Sequence, residues 1–441
     1  VFFSLFALSV FLIVCLGGGF SFWGPGAGRL GDMSDEMMQA AAIEMPAEIG
    51  FAPDATMEEA LAALMEQIMA VYSVSDDEGP LTDMVERFLR RQPHLTVRRH
   101  GDTLVASTDL GRDRRVILCG HLDTVPVIDN FPPRWLEPGD PAIRGEIAAA
   151  HPDERVMWGR GATDMKASDA ALLYLAATLT EPKVDLTYVF YDHEEVVAEK
   201  NGLRKVVQAH PEWIQGDFAI IGEPTNCGIE GGCNGTMRFD VVSHGVAAHS
   251  ARAWMGENAI HKAGEALARL NAYEPQSITV DGLEYREGLN ATLISGGNGT
   301  NVIPDECRIH VNYRFAPDKD IRQAKALMMG ADAGAELNNG EHAASGGVFE
   351  GFGIEMKDES PSARPGLDDP LAQSLVGLVR ERTGREPVAK LGWTDVARFA
   401  ALGIPAVNLG AGDPLLAHKH DEQVPESDLT LMAGILRDWL G

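Results

Sequence analysis

Apolar positions fall at helical spacing through residues 57–72 (Leu61, Leu64, Ile68, Val71) and again through 81–90, which predicts two amphipathic helices. Beyond them the period changes. Short apolar runs at 116–119, 186–191, 218–221 and 406–409 read as buried strands, because a strand covered on both faces loses its polar alternation. Helical stretches at 168–179 and 370–382 lie between them. This alternation predicts an α/β fold: a mixed, mostly parallel sheet covered by helices. A different pattern occupies 235–345. Residues 236–243 alternate like a half-buried strand, 259–270 are helical, 291–294 and 307–315 are strands, and 320–329 are helical again. That is a compact β-α-β-β-α unit, a smaller α+β (ferredoxin-like) domain inserted between 50–234 and 346–441, which together form the larger domain. Residues 129–155, rich in proline and acidic side chains, read as a surface loop.

A chain of 441 residues is long enough for two such domains. Its 37 Lys and Arg against 65 Asp and Glu give a net charge of -28, a surface that repels nucleic acid and anionic membrane, so neither is expected as a partner. The five cysteines are irregularly spaced and form no CxxC pair or Cys/His zinc-finger spacing. They therefore predict reduced thiols in a cytoplasmic protein, without a disulfide framework or structural zinc. Residues 1–32 stand apart as an apolar extension with no charge before Arg29. No basic start or small-residue cleavage site marks a signal peptide, and the run before Gly17 is short for a span of ~20 residues. A mis-set translation start upstream of Met33 is the preferred reading, with a membrane anchor or a signal peptide as alternatives.

Candidate chemistry gathers just beyond the predicted strands. The run 116–119 leads into His121-Leu-Asp123, whose side chains face the same way in extended chain. His121 is expected to ligate a metal through one nitrogen while Asp123 accepts from the other. Residues 159–164 form a glycine-containing turn ending in Asp164, placed to bridge two cations. The strand 186–191 is followed by Glu194 and Glu195, adjacent carboxylates that can take different tasks, one as metal ligand and one as base. Glu223 comes after 218–221, and His418 and His420 come after 406–409 through a glycine-rich loop. Each has a plain alternative: a surface histidine, a helix-capping aspartate, a solvated turn. Together they place His, Asp or Glu at the carboxyl ends of several strands of one α/β sheet, where ligands bind in such folds. Two imidazoles and three carboxylates are a zinc-type ligand set.

The ordered segments HLDTVP, GRGATDMK, HEE, GEPT, NVIP and WTD, with a late histidine, resemble the M20-type metallopeptidases and deacylases from about residue 55 to the C-terminus. The resemblance implies a zinc-peptidase-like catalytic domain with an inserted lid that also forms a homodimer. It implies two Zn2+ ions, replaceable by Co2+, with His121 and Glu223 on one, Glu195 and His418 on the other, and Asp164 between. His418 is preferred to His420 because Glu422 lies after it at the family spacing. Glu194 would be the general base, and Asp123 the partner of His121. His249 would reach the partner subunit's site to stabilise the oxyanion, with His244 as a competitor. Asn301, Arg314 and Thr394 would contact substrate. Two departures touch recognition: Cys233-Asn-Gly-Thr236 stands where many desuccinylases of the family carry Arg-Arg-Gly-Ser, and Trp393 precedes Thr394. The implied reaction is hydrolysis of an N-acyl amino acid, with N-succinyl-LL-diaminopimelate first. Acetylornithine, a dipeptide, and a binding protein that has lost catalysis are the alternatives.

Overall fold

A computed structural model describes residues 46–331, 333–338 and 340–441; the apolar extension 1–32 lies outside the described residues. The predicted buried strands form the middle of an eight-stranded sheet, in the order Thr96–His100, Thr103–Ser107, Asp185–Tyr191, Arg115–His121, Phe218–Ile221, Ala406–Asn408, Glu230–Gly231, Val388–Ala389. The four central strands, Asp185–Tyr191 through Ala406–Asn408, run parallel. The first two strands and the pairing of Ala406–Asn408 with Glu230–Gly231 are antiparallel. The sheet is thus mixed and mostly parallel, as the pattern predicts.

Both faces are covered, which is why the central strands are largely apolar between their ends. Met57–Met69, Gly79–Arg90, Ala167–Thr178, Pro370–Thr383 and Glu426–Leu440 pack on one side against Val116, Leu118, Leu186, Phe218 and Ile220. On the other, Gly202–Ala209 and Val396–Ala401 cover Ile117, Cys119, Val189, Tyr191 and Ile221. Met57–Met69 starts at a reciprocal cap in which Thr56 and Glu59 bond each other's backbone.

A second, antiparallel sheet has six strands in the order Gly288–Gly296, Glu306–Phe315, Gly235–His244, Gly353–Ser360, Glu341–Ala344, Ala333–Asn338. Alternate residues of Glu306–Phe315 are buried, with Cys307, Ile309, Val311, Tyr313 and Phe315 packed inside. Ala259–Asn271 and Ile321–Met329 contribute Ala259, Ala263, Ala266, Ala324 and Met328 to that core. The expected boundary at 345 falls inside this sheet, since Gly353–Ser360 pairs along Gly235–His244. Its half-polar sequence, Gly-Ile-Glu-Met-Lys-Asp-Glu-Ser, hides a strand. The expected surface loop at 129–155 is also partly regular: Arg134–Leu136 joins a small sheet with Val156–Trp158 and Gln423–Pro425, and Gly145–Ala150 is a short helix. Three-residue strands are too short to show a period. No helix among the described residues is long and apolar enough to cross a membrane.

Candidate metal centre

Because the four central strands are parallel, their carboxyl ends lie together, and each delivers part of the predicted constellation. Arg115–His121 ends on His121, which is buried. Gly120 just before it has no room for a side chain: a Cβ there would stand 2.1 Å from the Asp169 carboxylate. His121 Nε2 lies 3.2 Å from Asp164 Oδ1. The turn carrying Asp164 is held from below. Glu422 accepts the backbone N–H groups of Thr163 (2.9 Å) and Asp164 (3.0 Å) on one oxygen and Arg160 Nη1 (2.7 Å) on the other. Both charged partners are almost fully buried, so removing either would leave a buried charge unpaired at a cost of about 3–5 kcal/mol.

Of His418 and His420, it is His418 that faces these carboxylates. Its backbone is in the left-handed region (φ 65°), and its Nε2 reaches both Glu195 Oε1 (2.9 Å) and Asp164 Oδ2 (3.3 Å). Asp164 therefore offers one oxygen to each imidazole. His420 makes no hydrogen bond or ion pair with these carboxylates among the described residues. Glu422, four residues after His418, supports Asp164 from beneath.

Asp123 acts differently from expectation. The group nearest His121 Nδ1 is the main-chain oxygen of Asp123, at 3.0 Å, with the Asp123 carboxylate at 3.6 Å. That carboxylate instead accepts from Ser75 Oγ (2.7 Å) and from the backbone N–H groups of Glu194 (2.9 Å) and Glu195 (3.1 Å). Asp123 is fully buried, and the reason for the exchange is the turn after Tyr191. Its amides need an acceptor inside the protein, so Asp123 fixes the two glutamates while its carbonyl faces His121.

The cluster is electrostatically unbalanced. Burial, then the charges of Glu223 and Glu195, push the Glu194 carboxyl well above the ordinary range. Glu195 is raised by burial and by Asp164. Glu223 is pushed up to about 7 by the same two causes. Burial disfavours charge on His121, yet its bond to Asp164 holds its pKa well above the usual value. Hydrogen bonds to Asp164 and Glu195 push His418 up to about 10. Burial would raise Asp164 too, but the two histidines hold it below the carboxylate range. Four crowded carboxylates face two imidazoles, an arrangement that calls for added positive charge. A divalent cation would supply it, and the donors fit one: a ligand atom from each of His121, Asp164 and Glu195 lies within 4.8 Å of the others. Glu223 lines the same cleft without joining that trio.

The cleft has a volume of about 680 Å³. One wall carries the metal-centre residues and Thr394, whose Oγ1 donates to Asn408 at 3.0 Å. The other is the open face of the six-stranded sheet, where the alternation that buries Tyr313 and Phe315 turns Arg314 outward beside Thr236 and Arg238. Arg238, Lys390 and Arg398 also line the cleft; a lone basic residue in a strand, loop or short helix carries no motif, so nothing in the chain's pattern marks them. His249 and Asn301 are elsewhere. They meet where Ala248–His249 pairs with Val302–Ile303, are both exposed, and contribute nothing to this cleft. His244 pairs with Glu341 at 2.7 Å and is likewise outside it.

Comparison with known proteins agrees with this architecture. The model of peptidase family M20/M25/M40 matches residues 117–440. A protein of Corynebacterium glutamicum named succinyl-diaminopimelate desuccinylase is 40% identical over 386 residues, covering 86% of this chain and 95% of the relative. A Mycobacterium tuberculosis protein that carries the same name provisionally is 45% identical over 381 residues, covering 86% and 97%. Among solved structures, a tripeptidase from Staphylococcus aureus superposes with a TM-score of 0.66 at 18% identity, covering 87% of this chain and 97% of the other; at that identity the likeness concerns the fold. The family model over most of the chain, relatives at 40–45% identity and a matched length lead to one conclusion: the chain belongs to peptidase family M20/M25/M40.

Proposed function

We propose that this chain is a metal-dependent amide hydrolase that removes succinate from N-succinyl-LL-diaminopimelate, releasing LL-diaminopimelate for lysine and cell-wall precursor synthesis. The observation that carries the reaction class is Glu194: a half-buried carboxylate, its backbone N–H held by Asp123, beside the His121, Asp164, Glu195 and His418 cluster. The substrate rests on the names of relatives at 40–45% identity that match nearly end to end.

Two zinc ions are the proposed cofactor, with cobalt as a substitute. His121 and Glu223 would hold one and Glu195 and His418 the other, with Asp164 shared; the division of its two oxygens between the two histidines supports that reading. When bound, such ions supply Lewis acidity, which eases deprotonation of water and polarises a carbonyl. The protein's own groups do the rest. Glu194 accepts the proton of the attacking water and returns it to the leaving amine. Asp123 keeps Glu194 and Glu195 in place through their backbone N–H groups. Arg314 and Thr394 orient the substrate in the cleft.

The proposal includes a homodimer. Gly288–Gly296 is an edge strand of its sheet, exposed from Asn290 onward, with Leu293 71% and Ile294 57% exposed. An open, apolar edge of this length invites pairing with another chain. Trp254 and Met255, a few residues beyond His249, are exposed too. A second copy would cover them and carry His249 and Asn301 towards the partner's cleft, where the imidazole donates to the oxyanion. Four buried free thiols support a cytoplasmic setting. The test is hydrolysis by zinc-loaded protein, with and without chelator, of N-succinyl-LL-diaminopimelate and of acetylornithine. Chelator-sensitive cleavage of the first by at least 100-fold over the second is expected; the reverse preference would refute the substrate, and no turnover of either would refute the hydrolase.

A further inference from the structure

Cations on the cleft wall are not equally free. Arg238 pairs with Asp358 at 3.3 Å, and Arg398 is bound to Asp395. Arg314 has no ion pair among the described residues. Lys390 is the unusual one. It comes directly after the edge strand Val388–Ala389, and its side chain is only 12% exposed where it enters the cleft beside Glu223 and Asp164. Its Nζ lies 2.9 Å from Glu230 Oε2. That carboxylate takes up one of the three N–H groups of the ammonium, and no other acceptor for it is found among the described residues. A largely buried ammonium with donors to spare is stabilised by a further acceptor that completes its shell.

The loop that carries Lys390 is fixed. Its backbone N–H donates to Gly231 O at 3.2 Å, and Asn234 N–H donates to its carbonyl at 3.2 Å. The Asn234 amide also donates to Leu391 O (3.2 Å) and Arg286 O (2.9 Å). Asn234 thus uses its side chain to hold the Lys390 loop against the cleft. Across from it, Thr236 Oγ1 is buried without a hydrogen-bond partner. The cleft therefore presents two cations with unused donors, Lys390 on the central-sheet side and Arg314 on the six-stranded side.

Building on the proposed acyl-amino-acid hydrolase, we propose that Lys390 is a specificity-determining residue whose ammonium receives a carboxylate of the substrate. N-succinyl-LL-diaminopimelate bears such groups on both the acyl and the amino-acid side of the amide. Lys390 and Arg314 give the cleft one cation on each wall for a substrate with anions on each side of the bond.

The test compares wild type with Lys390→Met on three compounds: N-succinyl-LL-diaminopimelate, N-butyryl-LL-diaminopimelate without the acyl carboxylate, and N-succinylcadaverine without the amino-acid carboxylates. KM for the full substrate should rise at least tenfold with kcat within threefold. The penalty should vanish on whichever analogue lacks the carboxylate that Lys390 holds. An equal penalty on all three, a loss confined to kcat, or no change would overturn the assignment. Metal content and Tm are measured alongside. If Lys390→Met loses metal or melts early, Lys390→Arg serves instead: it keeps the charge but moves it, so KM should change only for compounds that bear the carboxylate, and a uniform change would refute the idea. Wild-type turnover is read separately. If the wild type prefers another N-acyl amino acid, the proposed substrate fails, and the same ratios are taken with that compound and its descarboxy analogues.

Discussion

At the carboxyl ends of the central strands, His121, Asp164, Glu195 and His418 touch one another within a single chain, whereas His249 and Asn301 of the inserted region stand exposed and touch none of them. In the first group His121 ends a parallel strand buried on both faces, Glu195 follows another, and Asp164 and His418 are brought against them by turns packed on that sheet. The second lies on a two-residue pairing beside an open sheet edge, held by local bonds such as Ser250 N–H to Asn301 O and Ala251 N–H to His249 Nδ1. One region has its groups assembled within the folded monomer; the other has its candidate groups turned outward.

The largest effect should come from the assembled region. Glu194→Gln keeps size and packing and removes only the proton-accepting carboxylate, so metal content should stay unchanged while kcat falls by about 10²–10⁴-fold. Activity within tenfold of wild type would assign the base elsewhere. Next comes the outward-facing region: Ile294→Asp places a charge on the exposed edge strand. Sedimentation should then show monomer, with full metal content and roughly 10²–10³-fold lower kcat, the scale of losing one oxyanion donor. A monomer that retains full activity would make the cleft self-sufficient and erase the contrast.

The smallest effect tests the scaffold under the metal centre. Asp185 begins the strand that ends before Glu194, and accepts from Leu110 N–H, Arg112 N–H and Thr108 Oγ1. Burial raises its pKa, but these backbone and hydroxyl bonds more than offset it and hold the carboxyl below the usual range. A depressed native pKa contributes stability above the unfolded value of about 3.9 that is lost as pH falls through the native one. Asp185→Asn should therefore lower stability by about 1–2 kcal/mol at pH 7. The gap should narrow below roughly pH 4; a gap that widened in acid would contradict the bonding described.

The assembled region is legible in the sequence because its logic is repetitive: apolar run, then His, Asp or Glu, at parallel strand ends. His418 and His420 are not separable by chemistry, and it takes the left-handed turn at His418 to aim one ring at Asp164 and Glu195. Spacing along one strand assigns the Asp123 carboxylate to His121. Its true partners are amides 71 and 72 residues later, a contact no local pattern encodes. Lys390, Arg238 and Thr236 escape for the same reason. They become cleft residues only when two sheets face each other. The strand Gly353–Ser360 is hidden because its register slips between Met356 and Asp358, which breaks the alternation a strand would show.

The contrast between the two regions is tested most directly by mixing two inactive proteins. Glu194→Gln lacks the base but keeps His249, and His249→Ala keeps the base but lacks the imidazole. After subunit exchange, a heterodimer would hold one cleft with Glu194 of one chain and His249 of the other. Random exchange of equal amounts makes about half the dimers heterodimers, so roughly a quarter of wild-type kcat should return. No recovery under conditions where mass spectrometry confirms the heterodimer would mean that His249 serves no cleft in trans.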